Sequence, residues 1–351
     1  MKRLAIASAV LASAFGLAVS AQAQSLPVTK FNLVGSIGNL SMYTQQEVPF
    51  WTKTMPEKSG GAIQVEIKPF TELGLKGGEI FRLVSQGTLP MATTVLNYNT
   101  GEMPINESAD LVGLVGSVEE LQKVANVVRP MLAAEYEGKH GVKLLGFGSY
   151  QAQVIYCRDK ISSLADLKGK KVRASGISQQ SFVNYLGGSP LNIAFAEVQP
   201  ALAKGVVDCA ITGSLSGYKS KWHEAATHLL PMPVNFGLAA TTANLAWWNK
   251  LDARVQALMT KEVRVLEDNI FAQAATETAI GVACNTGTAP CPEGAPAKMV
   301  LVPVTDADQA LRKKAFAEAI LPDFAKRCGA DCVTRWNATV GKAVGITAKA
   351  M

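Results

Sequence analysis

From about residue 30 the chain alternates between short runs with an apolar residue at every second position and longer runs with one at every third or fourth. The first period lines one face of a strand and the second one face of a helix, so the pattern limits the chain to a few architectures. Lys30 to Gly35 reads as a strand. Ser41 to Ser59 reads as a helix, with Val48, Trp51 and Met55 at helical spacing and Gly60-Gly61 as its stop. Ile63 to Lys68 is a strand, Gly78 to Gln86 a short helix, Leu89 to Val95 a strand, Val118 to Tyr136 a long helix and Val142 to Phe147 a strand. A second block repeats the theme. It has strands at Gln153 to Tyr156, Lys171 to Ala174, Leu191 to Ile193 and Val206 to Ile211, and helices at Ser163 to Leu167, Ser178 to Leu186 and Glu197 to Lys204. Trp248 to Ile280 reads as one helix, long enough to span two domains. The alternation predicts an α/β fold, with helices flanking mixed, mainly parallel sheets. No Gly/Ser/Pro linker separates the blocks, which points to domains joined by crossing strands or helices.

The first residues carry a different signal. Lys2 and Arg3 precede an apolar run from Leu4 to Val19, and Ala21-Gln22-Ala23 has the small-x-small form of a cleavage site. This is the layout of a secretory signal peptide, and the run is shorter than the roughly 20 residues that span a bilayer. Export to the periplasm, cleavage after Ala23 and a mature chain not inserted in the membrane are expected. Two of the 34 basic residues leave with the signal, so a modest excess over 28 acidic ones remains. With no basic stripe, nucleic acid is not an expected partner. All six cysteines lie beyond the signal, which in an exported chain points to disulfides. Their pairing stays open at this level. Locality favours Cys284 with Cys291, around a turn-rich loop, and Cys328 with Cys332, around Gly-Ala-Asp. Cys157 and Cys209 are then left, each in a strand-like segment. No histidine stands near a cysteine pair at ligand spacing, so no metal site and no cofactor are expected.

The middle of the chain is more specific. Asp166-Leu167-Lys168-Gly169-Lys170-Lys171-Val172-Arg173 resembles the Asp-Leu-Lys-Gly-x-Lys-hydrophobic-Arg signature of the periplasmic solute-binding proteins of TRAP (tripartite ATP-independent periplasmic) transporters. Leu186-Gly187-Gly188-Ser189-Pro190, Phe195-Ala196-Glu197-Val198 and Ala201-Leu202-Ala203-Lys204-Gly205-Val206-Val207-Asp208 follow in that family's order. Upstream, Glu72-Leu73-Gly74, Glu79 and Gln86-Gly87 fit as well. The similarity runs from about Phe31 to Leu251.

The resemblance implies a two-domain periplasmic-binding-protein fold with a long domain-spanning helix. The expected division is 24–150 plus 238–280 for domain I and 151–237 plus 281–351 for domain II, with a ligand cleft between them. It also implies capture of a small organic acid and its delivery to integral-membrane transporter subunits, by a receptor expected to be a monomer. In the family, the arginine matching Arg173 binds the ligand carboxylate. A guanidinium is planar, always charged and able to hold a carboxylate with two parallel hydrogen bonds. Phe195 matches an aromatic that packs on the ligand, and Thr212 stands where relatives place a polar side chain. The loop after the third strand, with Thr94, Val95, Asn97 and Tyr98, should face the cleft.

This chain departs from many relatives in one respect. They carry a second arginine on the strand before the signature, whereas here the residues are Tyr150-Gln151-Ala152-Gln153-Val154-Ile155-Tyr156. Losing that charge argues against dicarboxylates and acidic sugars. A monocarboxylate with an apolar or aromatic body fits better, with Gln153 able to supply a neutral hydrogen bond and Tyr43, Trp51, Tyr98, Tyr150 and Phe236 available to line the pocket. An exported hydrolase is the rival of a different class, but His223 and His228 lack zinc-protease spacing and no Gly-x-Ser-x-Gly elbow occurs. A purely sensory binding protein is the other alternative.

Overall fold

A computed structural model describes residues 25–350. The expected signal peptide lies outside the described residues. In chain order the strands are β1 (Thr29–Gly35), β2 (Ile63–Pro69), β3 (Met91–Val95), β4 (Val142–Ser149), β5 (Gln153–Cys157), β6 (Lys171–Arg173), β7 (Ser189–Leu191), β8 (Cys209–Gly213), β9 (His228–Leu230), β10 (Leu238–Asn244) and β11 (Val300–Leu301).

They form two mixed sheets, β2-β1-β3-β10-β4 and β11-β9-β5-β8-β6-β7. In the first sheet β1 runs parallel to both β2 and β3, because helical crossovers join them. In the second, β6 runs parallel to β7 and β8 for the same reason. The antiparallel members are the strands next to the crossings. β10 opposes β3 and β4, and β5 opposes β8 and β9. The chain passes between the sheets from β4 to β5 and returns from β9 to β10. Two connections of a few residues thus stand in for a flexible linker.

Two expected elements shift. The short strand falls at Ser189–Leu191, where it pairs with Lys171–Arg173, rather than at Leu191 to Ile193. Trp248 does not begin the long helix. It closes a four-residue helix, Leu245–Trp248, which Asn244 caps by accepting from Trp247 N–H. The long helix is Ala253–Thr286, capped at its start by the Asp252 carboxylate and ended by Gly287 in the left-handed region. It packs on β4 and on the helix Ser214–Lys219, and so touches the structures built on both sheets.

The final helices also straddle them. Asp308 accepts from Leu164 N–H and Asp323 from Ser181 Oγ–H, on the side of the second sheet. Trp336 Nε1–H donates to Ser108 O, and Arg335 pairs with Glu135 at 3.0 Å, on the side of the first.

Both cysteine pairs favoured by locality are present, and the two cysteines left over, Cys157 and Cys209, are paired as well. Cys157 and Cys209 face each other across β5 and β8, Cys284–Cys291 closes the loop after the long helix, and Cys328–Cys332 spans the break at Gly329 that divides the helical stretch Leu321–Trp336.

Candidate ligand-binding cleft

The ends of β3 and β6 meet between the two sheets, and a small, partly open cavity lies there. Arg173, the last residue of β6, is only 2% exposed. Two backbone carbonyls hold its guanidinium: Nε–H donates to Ile193 O at 3.1 Å and Nη1–H to Ile211 O at 2.8 Å. The Trp222 ring lies 6.0 Å from the guanidinium carbon. Burial pulls Arg173 below the usual arginine range, with the neighbouring Tyr98 hydroxyl pulling the other way. Among the described residues no carboxylate pairs with it.

The cavity wall collects most of the residues singled out above. From the first sheet's side come Val95, Asn97 and Tyr98, and from the crossing Tyr150. From the second sheet's side come Gln153, Arg173, Phe195 and Thr212. Phe195 is wedged against Trp222, with ring centroids 5.7 Å apart, so the ring backs the wall as well as facing the space. Gln153 is anchored through its amide nitrogen, which donates to Gln151 O and Phe236 O at 3.2 Å each. Its side-chain oxygen is therefore the end left for a ligand, so the neutral hydrogen bond it can supply is an accepted one. Burial pushes the Tyr98 hydroxyl up, and that of Tyr150 well up. Both stay protonated across the physiological range, and Tyr150 Oη finds no protein partner of normal hydrogen-bond geometry.

Four residues expected at the cleft lie elsewhere. Thr94 precedes Val95 on β3, and strand alternation sends it to the opposite face, where it is 1% exposed. The Tyr43 ring packs on Gly35, where an added Cβ would sit 2.5 Å from Cε2, and its hydroxyl donates to Ile67 O. Trp51 is fully buried with Phe31 and Phe50 beneath the first sheet. Phe236 is buried, and meets the site only through its backbone carbonyl on Gln153.

Ile37, Leu40, Ser175, Ser216 and Gly237 also line the cavity and were not singled out. Ser175 carried a usable signal, since it stands two residues past the strand-ending Arg173. Gly237 carried a weaker one: its φ of 79° suits the turn into β10 that only glycine enters without strain.

The profile of the DctP family, described as bacterial extracellular solute-binding protein, family 7, matches residues 35–282. The C4-dicarboxylate-binding periplasmic protein DctP of Rhodobacter capsulatus is 26% identical over 234 residues, covering 66% of this chain and 70% of that protein. A solute-binding protein of Albidiferax ferrireducens is 26% identical over 174 residues, and that match spans about half the length of each, 49% and 51%. Among solved structures, DctP7 of Bordetella pertussis, an extracytoplasmic solute receptor binding pyroglutamic acid, superposes with a TM-score of 0.75 at 22% identity, over 89% of this chain and 99% of that one. At that identity the likeness establishes the two-sheet fold.

Proposed function

The chain belongs to the bacterial extracellular solute-binding protein family 7, and we propose that it captures a small monocarboxylate with an apolar body and delivers it to the membrane subunits of a TRAP transporter. The family consists of binding proteins, not enzymes. One observation carries the reading. Arg173 is a buried guanidinium held by two backbone carbonyls at the cavity wall, with no carboxylate beside it among the described residues. A buried charge is costly until a partner arrives, so an anion is the ligand that offsets it best. Ile193 O and Ile211 O use part of the donor fork and aim the rest at the cavity.

Two features favour a single carboxylate. Among the described residues Arg173 is the one arginine or lysine on the cavity wall, and the rest of that lining is neutral. The R. capsulatus relative is named for C4-dicarboxylates, whose second charge would here meet Gln153, Thr212 and Ser216 instead of a cation. Ile37, Leu40, Val95 and Phe195 supply an apolar wall for the body of the acid. The units that close over it are taken as 24–150 plus 238–280 and 151–237 plus 281–351, with the last helices bracketing both.

The test is binding of a panel of acids to the purified mature chain: benzoate, mandelate, cinnamate, pyroglutamate and C4-dicarboxylates. A monocarboxylate should raise the melting temperature and bind one to one without turnover. Arg173→Lys keeps the charge but loses the fork, and should weaken that acid roughly ten- to a hundredfold, the worth of one charge-assisted hydrogen bond. Unchanged affinity in the lysine variant would remove Arg173 from the role, and preference for a dicarboxylate would overturn the single-charge reading.

A further inference from the structure

Behind the cavity a chain of hydrogen bonds begins at a buried carboxylate. Asp110 is 4% exposed and accepts from Phe236 N–H at 2.9 Å, Gly237 N–H at 2.6 Å, Leu238 N–H at 3.2 Å and Asn235 Nδ2 at 3.0 Å. Burial pushes its carboxyl up to about 6 against the pull of these donors, so it is ionised at neutral pH.

The carboxylate sets the direction of every bond that follows. An ionised carboxyl only accepts, so Asn235 must turn its NH2 towards it. Asn235 Oδ1 then faces Gln179 and accepts from Nε2 at 2.8 Å. Gln179 is fixed a second time, because its Oε1 accepts from the backbone N–H of Ser175 at 2.8 Å. The same oxygen accepts the one proton of the Ser175 hydroxyl at 3.0 Å. With that proton spent, Ser175 Oγ can only accept from Asn97, and Asn97 Nδ2 donates to it at 3.0 Å. Gly176 holds this contact close, since a Cβ there would lie 2.8 Å from Asn97 O. The remaining amide atom, Asn97 Oδ1, is buried and has no hydrogen-bond partner among the described residues, and Asn97 is part of the cavity wall.

We propose that Asn97 is a specificity-determining residue whose side-chain oxygen is locked as an acceptor, so that the preferred acid carries an N–H or O–H donor beside its carboxylate. This rests on the carboxylate-binding reading of the cavity and narrows the substrate class within it. Such acids include 2-hydroxy acids with an apolar body and cyclic amide acids. A ligand without the donor would bury Asn97 Oδ1 unpaired, and sites built around a hydrogen bond reject analogues that lack it. Ser175 and Gln179 act through Asn97 as positioning residues.

Matched pairs of acids test it by calorimetry on the mature chain: mandelate against phenylacetate, and pyroglutamate against its lactone analogue, in which ring oxygen replaces N–H. The wild-type protein should bind the donor-bearing member of a pair at least tenfold tighter. Asn97→Ala should bring the two within about twofold while the ligand-free melting temperature holds. Ser175→Ala frees the Asn97 amide to turn its NH2 into the cavity, and should tighten the lactone relative to pyroglutamate. That shift is one a merely structural role for Ser175 would not produce. Equal binding of both members by the wild type, or equal weakening of both in Asn97→Ala, overturns the donor requirement and leaves the Arg173 clamp standing. If no acid in the pairs or the wider panel binds, both inferences fall.

Discussion

Among the described residues, the buried carboxylates Glu47, Asp110 and Glu277 lie near the cleft without a cation beside them. Each is satisfied by neutral donors. Ser36 N–H and Oγ–H and the Thr93 hydroxyl serve Glu47, backbone N–H groups and Asn235 serve Asp110, and Ser41, Gln151 and Gln273 serve Glu277. Asp110 needs both of its oxygens. Phe236 N–H takes Oδ1, while Gly237, Leu238 and Asn235 share Oδ2. Asp110→Asn therefore cannot keep the pattern, since either orientation points an NH2 at backbone donors. It should cost about 2–4 kcal/mol in urea unfolding, the penalty for one or two buried donors left unmade. A loss below ~0.5 kcal/mol would show that the carboxylate does not hold this turn. Residue-scale chemistry was only partly legible in the sequence. Arg173 stood out because an ordered motif surrounds it. Asp110, Asn235 and Gln179 sit in stretches with no motif, and they meet only because the return from β9 to β10 passes the loop bearing Asp110. Thr94, Tyr43 and Phe236 were misplaced for a related reason: aromaticity and loop proximity do not say which face a side chain takes.

Periodicity located most elements of the two sheets to within a few residues, because each sheet buries its strands and leaves one helix face wet. Breaks set by single caps were harder to see. The apolar pattern runs on through Leu251, yet Asn244 and Asp252 start separate helices on either side of it. Close packing of helix on helix was not visible at all. Gly281 sits mid-helix, where glycine costs about 1 kcal/mol relative to alanine. The reason for keeping it lies across the interface: a Cβ would fall 2.2 Å from Leu215 N and 2.3 Å from the Ser214 carbonyl carbon. Backbone on the far side cannot swing away as a side chain would. Asn285 Nδ2 and Ser214 Oγ further tie the two helices, donating to Ser214 O at 2.8 Å and Thr278 O at 2.9 Å. The clash thus exceeds the propensity gain. Gly281→Ala should lower stability by about 1–3 kcal/mol, as overpacking does elsewhere, and chemical denaturation would measure it. It should also weaken ligand binding, because the displaced helix Ser214–Lys219 carries Ser216 into the cavity wall. A stabilised variant would mean the long helix has room to shift.

At the scale of the whole molecule, the contacts across the cleft fall into a buried set and a rim set. The buried set runs through Asn97 to Ser175, Ile177 N–H to Thr100 Oγ1 and Ser178 N–H to Glu107, which Arg327 also holds at 2.9 Å. The rim set is exposed. Asn39 Nδ2 donates to Ser220 Oγ at 2.9 Å, and Lys76 meets Glu197 at 3.3 Å with both side chains more than half in solvent. Exposed pairs of this kind are worth roughly 0–1 kcal/mol. They are too weak to hold the cleft shut by themselves, but they form only when the lips meet. Lys76→Ala combined with Asn39→Ala should therefore act on escape more than on recognition. The dissociation rate of the bound acid should rise by less than about tenfold in stopped-flow measurements, with the association rate nearly unchanged, since affinity changes within one interface fall mostly on dissociation. Raised salt should shrink the effect of Lys76→Ala and leave that of Asn39→Ala in place, because only the ion pair is screened. Arg173→Lys should show the opposite signature, a large loss of affinity barely sensitive to salt, because its charge is buried among carbonyls. If the rim variant lost as much affinity as Arg173→Lys, the lips and not the clamp would be selecting the ligand. The weak, exposed rim and the charged, buried centre argue that recognition happens inside, with the lips setting how long the acid stays.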